Sequence, residues 1–241
     1  MQTVDLLGCP VGVATHDGWV EALAANVASG APHHHVSLNA AKWVAMREDR
    51  SLRRAVRAAT SVAADGASIV LASRWLGHPV PARVTGCDLA LALMALAPAR
   101  GWRVYLLGAT PPVATEVARR VRADGVAVVG ARHGFFGPDD EPAVARAIAD
   151  ARPDLVLVAL GTPRAELFCW RWVEAPLAMG VGGTFDVIAG TARRAPDAVG
   201  RAGLEWAWRF AHQPRTRFRR AIVDPARFAA AVAAGARLPA G

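Results

Sequence analysis

Lysine is all but missing from this chain of 241 residues: Lys42 is the only one, and arginine carries the rest of the positive charge. Cysteine is scarce too. Cys9, Cys87 and Cys169 stand far apart with no CxxC spacing, which argues against a disulfide framework or a zinc site and fits a reducing compartment. No apolar run reaches the roughly 18–20 residues that a spanning helix needs. Asp5 interrupts the N-terminus and no basic segment precedes an apolar run, so no signal peptide is expected. GxxxxGK[ST] and GxSxG are absent, and Gly180-Val-Gly-Gly183 lacks the third glycine of a GxGxxG fingerprint. Tyr105 is the single tyrosine and no nucleic-acid-binding motif occurs, so no nucleic-acid partner is expected.

What is present describes a globular protein. Apolar residues make up 53% and charged residues 20%, a balance that buries a core rather than staying disordered. The formal charge is +8. A GC-rich genome would inflate Ala and Arg together, but it does not explain clustering. Between Arg193 and Arg220 stand eight arginines and only two acids, Asp197 and Glu205, a patch suited to phosphates or an anionic membrane surface.

The pattern predicts short strands over Val4–Val13 and a helix over about 17–28 with Thr15 as N-cap. Strands are expected at His34–Leu38, Ser61–Ala64, Val104–Leu107, Val126–Val129, 154–160 and Leu177–Val181. Helices are expected at 40–60 (one broken or two short), Gly86–Ala97, 112–123, Ala143–Ala151 and from Arg164. The near-continuous apolar run at 154–160 suits a parallel strand covered on both faces. This alternation predicts an α/β, Rossmann-like, doubly wound and mostly parallel sheet. Residues 1–198 are expected to form the α/β domain, in two halves that meet at about 100, and residues 199–241 a helical, Arg-rich appendage. His33-His34-His35 reads as the polar start of a strand rather than a metal site. Asp139-Asp140-Glu141 reads as a helix N-terminus.

Ligands of open α/β sheets bind beyond the carboxyl ends of the strands. There lie Asn39, Asp65-Gly66, Gly108-Ala109-Thr110, His133-Gly134, Gly161-Thr162-Pro163 and Gly182-Gly183-Thr184. Glycine turns allow close backbone approach to a phosphate, although any one of them also simply ends a strand. Asp65, after an apolar strand and before a glycine, reads either as a helix N-cap or as a general base.

Several motifs follow in a fixed order: Ser37-Leu-Asn39, Ala64-Asp65-Gly66, Arg83-Val-Thr-Gly86-Cys-Asp88, Leu106-Leu-Gly108 and His133-Gly-Phe-Phe136. Then come Leu160-Gly-Thr-Pro-Arg-Ala-Glu166, Gly180-Val-Gly-Gly-Thr-Phe-Asp186, Arg194-Ala-Pro196 and Gly203-Leu-Glu-Trp206 with Arg209 and Pro214. In order and spacing the chain resembles the WecG/TagA/CpsF family, glycosyltransferase family 26. The resemblance implies an inverting transferase that takes a UDP-sugar and needs no metal or other cofactor. Donors of N-acetylmannosamine or glucose type are implied, with a polyprenyl-diphosphate-linked sugar as acceptor at the inner membrane face, in teichoic acid, common-antigen or capsule synthesis.

The same resemblance implies roles for residues. Asp65 is the base; Ser37, Asn39, Asp88 and Glu166 bind substrate; Arg83 neutralises phosphate or holds Asp88. Gly108, Ala109, Gly134, Phe135, Gly161, Pro163, Gly182, Gly183 and Asp186 surround the nucleotide. Arg209 and Arg219 hold the acceptor's diphosphate, and the tail arginines meet the membrane. Trp206, Trp208, Phe210 and Phe218 suit a membrane interface or the inner side of an amphipathic helix. Self-association is a further implication. Three positions depart from the family pattern: Ala165 where glutamine is usual, Gln213 where glutamate is common, and Thr216 at a basic position. They leave room for a soluble small-molecule acceptor, or for a non-catalytic nucleotide binder.

Overall fold

The computed structural model describes residues 1–192, 208 and 218–239. The chain opens with a hairpin of β1 (Thr3–Leu6) and β2 (Cys9–Gly12). Helix α1 (His16–Ser29) starts at Thr15, whose hydroxyl accepts the Gly18 N–H, as expected of an N-cap. Strand β3 (His34–Leu38) leads to α2 (Ala40–Glu48) and α3 (Arg50–Arg57), and β4 (Ser61–Ala64) to α4 (Ala67–Trp75) and α5 (Gly86–Arg100). The second half runs β5 (Arg103–Gly108), α6 (Pro111–Ala123), β6 (Ala127–Arg132), α7 (Glu141–Ala151), β7 (Leu155–Ala159), α8 (Arg164–Trp172), β8 (Leu177–Gly180) and α9 (Thr184–Ile188). A π-helical turn (Arg219–Val223) then enters α10 (Asp224–Ala233).

Six strands form one sheet in the order β4-β3-β8-β7-β5-β6, every neighbouring pair parallel. Both faces are covered, so alternate residues feed different cores. Val104, Leu106, Leu155 and Leu157 join the cluster under α1, α5, α6 and α9. Tyr105, Leu107, Val156 and Val158 join the one under α7 and α8. The fold is the expected Rossmann-like α/β arrangement.

The differences from the sequence reading are local. Helix α4 was not foreseen, because no side chain announces its start: its N-cap is Gly66, with no side-chain cap bond. Helix α5 continues through Pro98 to Arg100. A proline in the last turn removes a single intrahelical bond, and Gly101 closes the end in the left-handed region with its N–H on Pro98 O. Strand β6 runs on to Arg132 past Val129, since pairing with β5 carries the backbone through Gly130 and Ala131.

The described end of the chain packs on the N-terminal half. Phe228 of α10 packs edge-on against Trp43 of α2, with ring centroids 5.2 Å apart, inside the core of β3, β4 and α2–α4. Leu238 N–H donates to Leu7 O at 2.8 Å, Arg57 donates to Gly8 O and Pro239 O, and Arg237 pairs with Asp5. Burying such a ring stabilises by about 1.5–3 kcal/mol, so this segment holds the N-terminal half together. The remainder of 199–241 lies outside the described residues.

His33, His34 and His35 do start a strand, but a buried one. Their side chains alternate across the sheet. His33 and His35 each hydrogen-bond the Ser61 hydroxyl (2.7 and 2.9 Å), and His35 meets Trp19 edge-on. Burial disfavours the imidazolium and pulls His34 down to about 4 and His35 to about 3, with His33 lowered as well. The unfolded chain protonates these rings near their ordinary value of about 6.5 while the folded one keeps them neutral. Stability therefore falls as pH drops through about 6.5 towards 4, by up to about 1.4 kcal/mol per pH unit for each histidine. Urea midpoints measured across that window should decline, and His35→Leu should make the decline shallower.

Candidate active site at the carboxyl edge of the sheet

Parallel strands end together, so the loops after β3, β4, β5, β6, β7 and β8 all gather at one edge. Helix α6 leaves β5 towards one face and α8 leaves β7 towards the other. The gap between β5 and β7 is a topological switch point, where a doubly wound sheet opens a crevice. Gly108 turns the chain there with φ +126°, and a Cβ would lie 2.4 Å from Ala159 O, so only glycine fits. Ala109 follows in the left-handed region, with its N–H on Ala159 O (3.0 Å); Gly134 N–H in turn meets Ala109 O (2.9 Å). These two amides are thus engaged within the protein. Ala109 and Gly134 shape the crevice floor rather than donate from it.

Gly161 and Pro163 lie on the neighbouring turn, and Leu160 packs against Gly134. Phe135 is exposed beside His133, with ring centroids 6.5 Å apart. Arg164, at the first position of α8, donates to Gly134 O and Phe136 O (2.9 and 2.7 Å) and stacks over the Phe136 ring. It fixes the β6–α7 loop. The sequence offered a signal, an arginine directly after Gly-Thr-Pro, but no role for it. A cavity of about 420 Å³ between α6 and the end of β6 is lined by Pro111, Ala114, Thr115, Ala131, Arg132 and His133. On the turn after β8, Gly182 and Gly183 are exposed and Asp186 lies against Gly183.

The other half of the edge carries the polar side chains. Asp65 follows β4, its N–H on Leu38 O (2.7 Å), and Val84 N–H binds Ala64 O (2.8 Å). These bonds set Asp65, Asn39 and the Arg83–Thr85 segment around the ends of β3 and β4. Asp65 and Arg83 are both half-buried. Thr85 caps α5: its oxygen accepts Asp88 N–H (3.0 Å) and its hydroxyl donates to Asp88 Oδ2 (2.7 Å). Asp88 is thereby part of the helix cap. The first turn of α5 rides on β3 and β8, since a Cβ on Gly86 would lie 2.8 Å from Ser37 Oγ and 3.5 Å from Gly180 O. Ser37 Oγ is buried there with no hydrogen-bond partner. Asn39 is the N-cap of α2, its Oδ1 accepting Lys42 N–H (2.9 Å), which leaves its amide NH₂ as a donor.

Two expected substrate contacts stand elsewhere. Glu166 is 3% exposed and lies beneath the edge: Lys42 Nζ pairs with its Oε1 at 2.7 Å and the Thr162 hydroxyl donates to the same oxygen at 3.2 Å. A carboxylate on the first turn of α8 faces the sheet, where it is stable only with its cation. Arg219 lies near Glu48 (3.9 Å) and Asp224 (3.5 Å), at the far end of α2 from Asn39, about 13 Å away at 1.5 Å per residue. Arg209 lies outside the described residues, as do Gln213 and Thr216. Ala165 is buried against Gly180, so the departure at this position alters packing at the end of β8. Lys42 and Thr85 went unassigned in the sequence: a lone lysine and a threonine before a helix carry no motif of their own. Among the described residues no cluster of His, Cys, Asp or Glu converges as a metal site would, and no helix is long and apolar enough to cross a membrane.

A doubly wound sheet with glycine turns at its switch point and a carboxylate, an amide and an arginine on the adjoining loops defines an α/β protein of Rossmann-like type with a crevice at the carboxyl edge of its sheet. The chain matches the glycosyl transferase WecG/TagA/CpsF family over residues 4–239 and belongs to that family. It is a glycosyltransferase of cell-surface polymer biosynthesis, a family that works with a sugar donor and a lipid-linked acceptor.

The cysteines offer a test of this packing. Burial pushes the Cys9 thiol up to about 12 and raises Cys169 as well, whereas Cys87 on the first turn of α5 is half-exposed. A thiolate-selective alkylating agent at mildly alkaline pH should label Cys87 in the native protein and reach Cys9 and Cys169 only after unfolding. Peptide mass mapping reads the result.

Proposed function

We propose that the protein is an inverting, metal-independent transferase that moves a hexosyl or N-acetylhexosaminyl group from a UDP-sugar to a sugar on a polyprenyl diphosphate. The observation that carries this reading is the place of Asp65: a half-buried carboxylate on the turn after β4, tied to Leu38 and next to Asn39, on the same edge as the switch-point crevice. In the transfer Asp65 takes the proton of the acceptor hydroxyl as its oxygen attacks the anomeric carbon. The bond from that carbon to the UDP oxygen breaks, and the new glycosidic bond forms on the opposite face. Asn39 NH₂ supplies a hydrogen bond to a sugar hydroxyl, and Ser37, buried under the first turn of α5, supports the turn that carries Asn39. Arg83 and the backbone turns at Gly161, Gly182 and Gly183 meet the charge growing on the leaving diphosphate, and Asp186 accepts from the nucleoside. The protein works at the inner face of the membrane as a peripheral enzyme. Its tail arginines, Arg209 among them, take the acceptor's diphosphate and anionic headgroups.

UDP release from a panel of UDP-sugars, assayed with EDTA and a polyprenyl-diphosphate acceptor, tests this. Wild type is expected to release UDP and Asp65→Ala to fall by about a hundredfold or more. Equal rates in the two proteins would remove Asp65 as the base. Turnover with soluble acceptors alone would remove the lipid acceptor.

A further inference from the structure

Lys42 is the only lysine in the chain, and it is buried at the junction of the two halves of the site. Its backbone N–H fixes Asn39 Oδ1. Its ammonium donates to Ser37 O at 2.7 Å and pairs with Glu166 Oε1 at 2.7 Å. Glu166 in turn accepts the Thr162 hydroxyl on the β7–α8 turn. One ammonium therefore ties Ser37–Asn39, at the end of β3, to Gly161–Pro163, at the end of β7, across β8. The contact lies below the cleft, since Lys42 is 7% and Glu166 3% exposed. An ammonium suits this place: it offers three donors in tetrahedral array, and here two of them meet a carbonyl and a carboxylate from different loops.

We propose that Lys42 is a positioning residue for sugar transfer. Its ion pair with Glu166 sets the distance between the loop that orients the acceptor and the loop that holds the nucleotide. The inference rests on the transferase reading above. Lys42 touches no substrate; its ammonium acts through Ser37 O and, by way of Glu166, through Thr162. A misplacement of about 1 Å between reacting groups lowers rates by about a hundredfold, while binding to one half alone is spared. The signature is thus a loss in kcat with UDP affinity kept.

Removing one partner strands the other charge in the interior and destabilises the fold, so single variants do not separate positioning from stability. Replacing both with apolar side chains of similar length does, because a buried pair exchanged for packed apolar groups often leaves stability unchanged. Lys42→Met/Glu166→Met is expected to unfold near the wild-type urea midpoint and to bind UDP within about threefold by calorimetry. Its kcat is expected to fall by about 30- to 100-fold. Hydrogen exchange should quicken at residues 37–39 and at Gly161 and Thr162 and not across the rest of the sheet. A double variant with kcat within about threefold of wild type would reduce the pair to a structural role. If the wild type itself binds no UDP, the donor reading fails, and the exchange data still decide the clamp: unchanged protection at both loops would overturn it. Should the double variant not fold, Lys42→Arg takes its place. Its planar guanidinium keeps the charge but not the tetrahedral geometry, and the same fall in kcat at unchanged UDP affinity is expected; wild-type kcat there would overturn the proposal.

Discussion

Parallel pairing of six strands governs everything else in this molecule. Parallel neighbours must point the same way, so each strand needs a helical crossover and each strand end falls on the same edge. The crossovers cover both faces, which makes β7 apolar on both sides, and they leave β5 and β7 with helices on opposite faces. The crevice at that point and the row of loops beside it follow from the winding and need no separate device. Gly108, with its strained φ and its contact on Ala159, is what allows the chain to leave β5 within hydrogen-bonding distance of β7.

The edge then divides its labour by chemistry. Around β5, β6 and β7 each turn carries a glycine (Gly108, Gly134, Gly161), and the Ala109 and Gly134 amides bind carbonyls of this same region. Arg164 fastens the β6–α7 loop through carbonyls and the Phe136 ring. Around β3 and β4 the groups are side chains: Ser37, Asn39, Asp65 and Arg83, gathered by the first turn of α5. The Lys42–Glu166 pair lies where these two regions meet. A buried ion pair contributes little net stability against an apolar alternative, so its place at this junction is better explained by geometry than by stability.

The described end of the chain, residues 218–239, is as much part of the fold as its middle. Phe228 against Trp43 and Leu238 against Leu7 close the N-terminal core. The same stretch carries Arg219, which lies at the far end of α2 beside Glu48, itself paired with Arg227. Its carboxylate is held below the usual range first by the Arg227 hydrogen bond. Arginine is therefore used here for structure as well as for the charge that the tail presents.

The sequence by itself determined all the strands and most of the helices, the parallel winding and the loops that gather at the strand ends. The apolar run of β7, the Thr15 cap and the glycines after β5, β7 and β8 are local signals, and local energetics produce them. Asp65 and Asn39 were legible for the same reason, each standing at a strand end within a motif. Tertiary structure alone decided what a side chain meets. Glu166 reads as a ligand-facing carboxylate but turns under the edge, because the first turn of α8 faces β3 and β8 and Lys42 reaches it from α2. The amides of Ala109 and Gly134 are taken up inside the protein, by Ala159 O and Ala109 O. His33, His34 and His35 read as a polar start of a strand and are buried, because helices cover the sheet on both faces. Pairings between residues far apart in sequence depend on how helices dock across the sheet, and no spacing along the chain encodes them.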